Sequence, residues 1–198
     1  MIRTHRFSGP ILALVLLGAA PHITPTVVLK KQADAIKEAV PDARHFFVRT
    51  VDIGKADFDR IKDEGDFEPE DDEMDFYYGT DAAGANAGVV LFPQVNTQHG
   101  PLEVGLTMNP DGTIRRVVVT KATVETKPWV LRAVEAGLTD GFRGMRPGDD
   151  PTAALNDLSR ADLGQMPYYM AGVAAKAVRA GLALYDVLYA EGPVSGDR

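Results

Sequence analysis

The stretch PLEVGLTMNPDGTIRRVVVTKAT (101–123) decides the fold, because it predicts an antiparallel hairpin. Its first half alternates Leu102, Val104, Leu106 and Met108 with more polar or smaller residues, as in a strand with one buried face. The tetrapeptide NPDG then supplies a tight turn, in which proline presets the backbone angle and glycine tolerates positive φ. The second half returns as the partner strand, so residues 102–120 are predicted to pair.

A long helix follows near the end of the chain, in PYYMAGVAAKAVRAGLAL (167–184) and the residues after it. Its apolar stripe predicts a helix over Met170–Tyr189. Two small residues on this stripe, Ala177 and Gly181, are expected to let the helix lie close to the sheet. The fold class is therefore predicted as α+β: a twisted, mainly antiparallel sheet packed against a long C-terminal helix.

The residues before the hairpin divide into two parts. Residues 25–65 predict a helix-strand-helix extension, with apolar residues at helical spacing, then RHFFVRTVDI, then a short helix closed by Gly65. Residues 66–84 contain an acidic loop and a connecting strand. Seven acids lie between Asp66 and Asp75, and a solvated loop is favoured over a cation site because the acids are contiguous. The main domain is predicted over 85–190, followed by a flexible tail at 191–198.

The first 24 residues resemble an export signal or a membrane anchor. Basic residues precede PILALVLLGAA (10–20), an apolar run that ends in small residues. Eleven residues are too few to span a bilayer comfortably, since a spanning helix needs roughly 20. A buried strand or helix of the domain is the alternative. The pattern predicts an exported protein, in the periplasm or at the periplasmic face of the inner membrane, with possible membrane association through residues 1–24.

Composition excludes several classes of function. A net charge of −7 argues against nucleic-acid binding, which needs a basic face. The chain has no cysteine, and its four histidines show no metal-ligand spacing; His99 is expected to be a solvated turn residue. No nucleophile elbow, phosphate-binding loop or zinc-protease motif occurs, so hydrolysis has little support and no catalytic residue is assigned.

The order of several pieces carries a resemblance to a known family. These pieces are the hairpin with its Asp-Gly turn, the pair Glu125 and Thr126, the GFRGM step at 141–145, and AAKAVRAGLAL (174–184). Together they resemble the FMN-binding domain of flavin-carrying subunits of ion-pumping quinone and ferredoxin oxidoreductases and related exported proteins. That family joins FMN to the threonine of an S-G-A-T motif, which falls here on residues 169–172, with Gly172 in the threonine's place. Since glycine has no hydroxyl, covalent attachment is predicted against.

The resemblance implies that any FMN is held non-covalently, in two groups of contacts. At the start of the last helix, free amides and a nearby cation would meet the phosphate. In the second group, aromatic side chains would flank the isoalloxazine ring of the flavin, and polar side chains would meet its edge or the ribityl chain. Each residue also has an ordinary structural interpretation. The predicted cofactor-binding residues are Glu125, Thr126, Trp129, Tyr168, Tyr169, Ala171, Gly172, Val173 and Lys176, with Ala174 completing the first turn.

Two functions follow as hypotheses. The first is an exported electron-transfer module that holds FMN non-covalently and meets a redox partner protein or membrane complex, with the acidic run as a docking surface for a basic partner. The second is a flavin-free relative of the fold that acts as a binding or assembly protein at the cell envelope, supported mainly by Gly172. Subunit membership in a larger membrane complex is a third possibility.

Overall fold

The computed structural model of the protein describes residues 24–190. The predicted signal or anchor up to residue 23 and the predicted tail at 191–198 lie outside these residues. Among the helices of residues 24–190, none combines the length and the apolar character that crossing a bilayer requires.

Seven strands and five α-helices make up the described part of the chain. The strands are β1 Thr26–Val28, β2 His45–Asp52, β3 Glu73–Thr80, β4 Asn86–Leu91, β5 Gln94–Thr97, β6 Gly100–Met108 and β7 Ile114–Thr123. The helices are α1 Gln32–Ala39, α2 Lys55–Gly65, α3 Lys127–Glu135, α4 Arg160–Leu163 and α5 Gln165–Leu184, which continues as a π-helical segment over Tyr185–Ala190. Short 3-10 turns occupy Asp140–Phe142 and Pro151–Leu155.

The strands form one antiparallel sheet in the order β1-β7-β6-β4-β3-β2, and β5 pairs with β6 beside β4. The predicted α+β class is confirmed, and so is the hairpin, formed by β6 and β7. The strand pattern AGVVLFPQV is split at Phe92 and Pro93 into β4 and β5. Both strands pair with β6 in the same register, and the ladder is interrupted at Pro93, which has no N–H to donate.

Helix α5 covers one face of the sheet, as the small residues on its stripe predicted. A Cβ built on Gly181 would lie 2.7 Å from Leu106 Cδ2 and 2.9 Å from Pro93 Cγ, so the backbones approach closely there. The predicted start at Met170 is wrong, because α5 begins at Gln165, directly after Gly164 at φ 90°. Pro167 belongs to the first turn, where a missing N–H costs no intrahelical hydrogen bond.

Helix α1 covers part of the opposite face. Ala39 and Val40 pack there on Val90, with Tyr77 and Phe92 at the margin of this smaller cluster. The guanidinium of Arg115 on β7 links α1 to β4, because it donates to the carbonyls of Ala39 (3.3 Å) and Ala87 (2.8 Å). Both faces of β6 are therefore covered, and even polar members of this strand, such as Glu103, are buried.

The acidic run is only partly a loop. Asp66 ends α2 in the left-handed conformation at φ 48°, and the chain then enters β3 at Glu73. The prediction of a loop through Asp75 is therefore wrong at its end. Glu73 pairs with Asp52 of β2 and Asp75 with Thr50. Strand pairing thus fixes the last acids of the run, and with them one wall of a cavity.

Candidate functional site

Three of the residues predicted to contact a flavin come together beyond one end of the sheet, around His99. The imidazole lies 5.5 Å from the Trp129 ring and 6.1 Å from the Tyr169 ring, measured between centroids and edge-on in both cases. Its Nδ1 is 3.3 Å from Oε1 of Glu125. The residues His99, Glu125, Trp129 and Tyr169 are called the aromatic cluster below.

The turn between β5 and β6 positions His99. The His99 amide donates to Oγ1 of Thr97 (3.0 Å), and the next residue, Gly100, adopts φ 93°. A Cβ at Gly100 would lie 2.6 Å from Thr123 Cγ2, so glycine is required there on both counts. The His99 side chain is only 20% exposed. The prediction of a solvated histidine is wrong, because its neighbours come from α3 and α5, far along the chain.

Thr126 takes a structural role beside this cluster. It is buried, its Oγ1 accepts from the Thr123 amide (3.1 Å), and its own amide donates to Thr123 Oγ1 (3.2 Å). The Thr126 carbonyl accepts from Trp129 and Val130 at the start of α3. These reciprocal bonds fix the turn between β7 and α3, and the Thr126 hydroxyl faces this turn instead of a ligand.

Tyr168 and Lys176 lie with other partners. The Tyr168 ring has the guanidinium carbon of Arg160 5.7 Å from its centroid. Lys176 is exposed, and its Nζ lies 3.7 Å from a carboxylate oxygen of Asp66. Neither side chain takes part in the ring contacts of the aromatic cluster.

The predicted phosphate site at Ala171–Ala174 is wrong in its physical basis. These residues lie in the interior of α5, where each amide donates to the carbonyl four residues earlier. Ala171, Val173 and Ala174 are buried in the core, and a Cβ on Gly172 would lie 3.9 Å from Leu155. Residues 171–174 therefore offer no free amide to an anion, and they do not fit the phosphate of FMN.

A cavity of about 620 Å³ lies where the acidic run meets the sheet. Five of its nine lining residues are acids, and none of the nine is Lys, Arg or His. It is called the acidic cavity below. Its lining consists of Gln32, Asp52, Asp71, Asp72, Glu73, Met74, Asp75, Tyr77 and Phe92.

Aromatic groups and oriented hydrogen bonds form part of its wall. The rings of Tyr77 and Phe92 meet edge to face, with centroids 5.7 Å apart. Asp75 accepts from Thr50 Oγ1 (2.6 Å) and from the Tyr77 hydroxyl (3.4 Å). Burial, and then the negative charge of Asp75, raise the pKa of Tyr77 above its ordinary value. Tyr77 is therefore a neutral phenol at physiological pH, with its hydroxyl directed at Asp75.

A smaller adjoining cavity of about 300 Å³ shares Asp71, Glu73, Met74 and Phe92 with the first and reaches Glu103. Glu103 is 4% exposed. Its carboxylate accepts from Gln32 Nε2 (3.1 Å), Thr120 Oγ1 (2.7 Å) and Lys121 Nζ (2.6 Å). A buried carboxylate needs such partners, and Glu103 is thus neutralised within the fold.

The other acids of the run have partners too. Glu68 pairs with Lys62 at 2.5 Å, Asp66 with Lys176, and Glu70 accepts from Asn96. Among residues 24–190, Asp71, Asp72 and Glu73 form no ion pair within 4.0 Å. Of the acids in the run, only Asp66 and Glu68 have an ion-pair partner among the described residues, so the four that line the acidic cavity keep an uncompensated charge. In this same part of the chain, no group of three His, Cys, Asp or Glu side chains is arranged to hold a metal ion.

Comparison of the chain with protein-family models, with curated proteins and with solved structures gives no match. The resemblance to the FMN-binding domain therefore stays a prediction.

Proposed function

We propose that the protein is a flavin-free binding or assembly protein of the cell envelope, and that its acidic cavity takes a basic segment of a protein partner. The observation that carries this proposal is the cavity lining, with five carboxylates, two aromatic rings and no cation. The envelope location rests on the predicted export segment in residues 1–24.

Charge is the first argument for a basic occupant. The cavity concentrates like charges, and Glu73 lies directly opposite Asp52 across the β2–β3 pair. Like charges directly opposite one another destabilise a sheet. A Lys- or Arg-containing segment would relieve this repulsion, and the negative field of the cavity would speed its encounter.

The aromatic wall is the second argument. A cation near the face of a Tyr or Phe ring gains about 0.5–2 kcal/mol, more as water is excluded. Tyr77 and Phe92 lie in the same cavity as the uncompensated acids, so one basic side chain is able to meet a ring and a carboxylate together. The methylene stem of such a side chain would pack on Met74.

The test is binding of a fluorescein-labelled decalysine peptide to the full chain, measured by fluorescence anisotropy. Replacing three uncompensated acids together, Asp71→Asn, Asp72→Asn and Glu73→Gln, should weaken binding by about a hundredfold, since each removes roughly 1 kcal/mol of attraction. Binding by the unaltered chain should also weaken as salt rises.

The matched control changes the same net charge elsewhere, with Glu135→Gln, Asp140→Asn and Asp157→Asn on the α3 and α4 side. If the cavity is the site, the control variant binds within about twofold of the unaltered chain. Equal losses in both variants would mean a general charge effect and would overturn the assignment, as would no binding by the unaltered chain at low salt.

A second candidate is the electron-transfer module with non-covalent flavin, favoured by the convergence of Glu125, Trp129 and Tyr169 around His99. Edge and face contacts of this kind suit a planar aromatic ring. Since the amides of residues 171–174 are used within α5, a ring site here should bind riboflavin and FMN with equal affinity. Quenching of flavin fluorescence measures the affinity for each compound. The Trp129→Leu variant should abolish the binding of both. No quenching of either compound leaves only the flavin-free function, and flavin absorbance in the purified protein would contradict that function.

A further inference from the structure

Strand β2 ends the sheet with an exposed apolar edge. It pairs with β3 on one side, and the strand order gives it no neighbour on the other among the described strands. Phe46, Phe47 and Val48 are 42%, 47% and 55% exposed. Soluble proteins usually protect such edges with lysine, proline or a bulge in mid-strand, and HFFVRTVD (45–52) contains neither lysine nor proline.

The ladder with β3 determines which backbone groups of β2 face outward. The amide of Ile53 donates to the Asp72 carbonyl (2.7 Å), which continues the pairing of Asp52 with Glu73. Since hydrogen-bonded pairs alternate along an antiparallel ladder, the odd-numbered residues bond to β3. The N–H and C=O groups of Phe46, Val48 and Thr50 therefore point away from the sheet and are available to another strand.

We propose that two copies of this chain pair through β2, antiparallel and about a two-fold axis at Val48, so that one sheet continues across both copies. In this register Val48 bonds to Val48 of the second copy, and Phe46 to Thr50, using the outward groups. A two-fold interface is self-complementary by symmetry, so each contact occurs twice.

Charge favours this register over the two registers in which the axis is shifted by one residue. With Val48 on the axis, Arg44, the residue directly before β2, lies opposite Asp52 at both ends of the pair. Moving the axis to Arg49 would place two guanidinium groups opposite each other. Moving it to Phe47 would place Arg49 opposite His45. Arg44 and Asp52 are both exposed at the ends of the edge.

A charge swap tests the proposal on the full chain, with mass in a mild detergent measured by sedimentation equilibrium. The unaltered protein should sediment at twice the 21.4 kDa chain mass at micromolar concentration. Arg44→Asp alone and Asp52→Arg alone each place like charges at both ends, so either variant should dissociate about tenfold more readily. The double variant, and an equimolar mixture of the two single variants, should regain the dimer.

Val48→Pro is an independent variant. It removes only an outward N–H, so the β2–β3 ladder and the thermal melting curve should be little changed while the dimer is lost. Single-copy mass for the unaltered chain at about 100 µM would overturn the proposal, because the dimer is expected to form already at micromolar concentration. Persistence of the dimer in Val48→Pro, or no recovery on charge swap, would also overturn it, since another surface or another segment of the chain would then be responsible.

Discussion

Gly181→Val should lower the free energy of unfolding by about 3 kcal/mol, the upper part of the range for overpacked cores. The new Cβ would lie 2.7 Å from Leu106 Cδ2 and 2.9 Å from Pro93 Cγ, and the two added methyl groups would press α5 away from the sheet. Val has a better helix propensity than Gly, so the expected loss comes from the packing against the sheet. Urea denaturation followed by circular dichroism measures the loss.

Gly172→Ala is the matched control on the same helix. Its Cβ would meet Leu155 at 3.9 Å, an ordinary van der Waals distance. Replacing an interior helical glycine by alanine should then stabilise the protein by about 0.5–1 kcal/mol. A neutral Gly181→Val would show that α5 does not lie on the sheet as described, and a destabilising Gly172→Ala would show that Leu155 packs more tightly on α5 than described.

Glu103→Ala should cost about 3 kcal/mol, at the low end of the range for breaking a buried ion pair. The change leaves Lys121, whose side chain is 33% exposed, without its carboxylate, and leaves the buried Thr120 hydroxyl without one of its acceptors. Lys121 retains some hydration, which limits the loss. The midpoint of urea unfolding at neutral pH measures the effect.

Two further variants separate charge from packing at this position. Glu103→Gln keeps an acceptor for Thr120 and removes only the charge, so its loss should be smaller than that of Glu103→Ala. The pair Glu103→Leu with Lys121→Met should recover most of the stability, because apolar replacements of buried ion pairs are often neutral or stabilising. If the double variant is as unstable as Glu103→Ala, the ion pair is not the source of the loss.

The parts of the fold that depend on local pattern were predictable. The alternation in Leu102–Met108 and the turn NPDG give the β6–β7 hairpin, and the small residues of α5 give its close packing. The start of α5 was missed because Pro167 was interpreted as lying before the helix, whereas proline fits a first turn. Strand β1 was missed because its three residues pair only with β7, which comes much later in the chain.

The candidate sites depend on contacts between distant segments, which a single sequence does not reveal. Glu125, Trp129 and Tyr169 were found through their chemistry, but nothing in TQHG indicates that His99 joins them. The acidic cavity was hidden for a different reason. A contiguous acidic run is typical of a solvated loop, and only the pairing of Glu73 with Asp52 turns its last residues into a wall.

Contacts between residues that are far apart in the sequence have a consequence for how the protein folds. Thr24 meets Glu125 across 101 residues, and Asn86 meets Tyr189 across 103. The β6–β7 hairpin is local, and such hairpins form in about 1–10 µs. Adding β1 to β7 requires closing a loop of nearly a hundred residues, and docking α5 on β6 requires closing the shorter loop from Leu106 to Gly181, each a loss of chain entropy that must precede the contacts that repay it. The barrier to refolding should therefore lie in joining the two ends of the chain to a hairpin that has already formed between them.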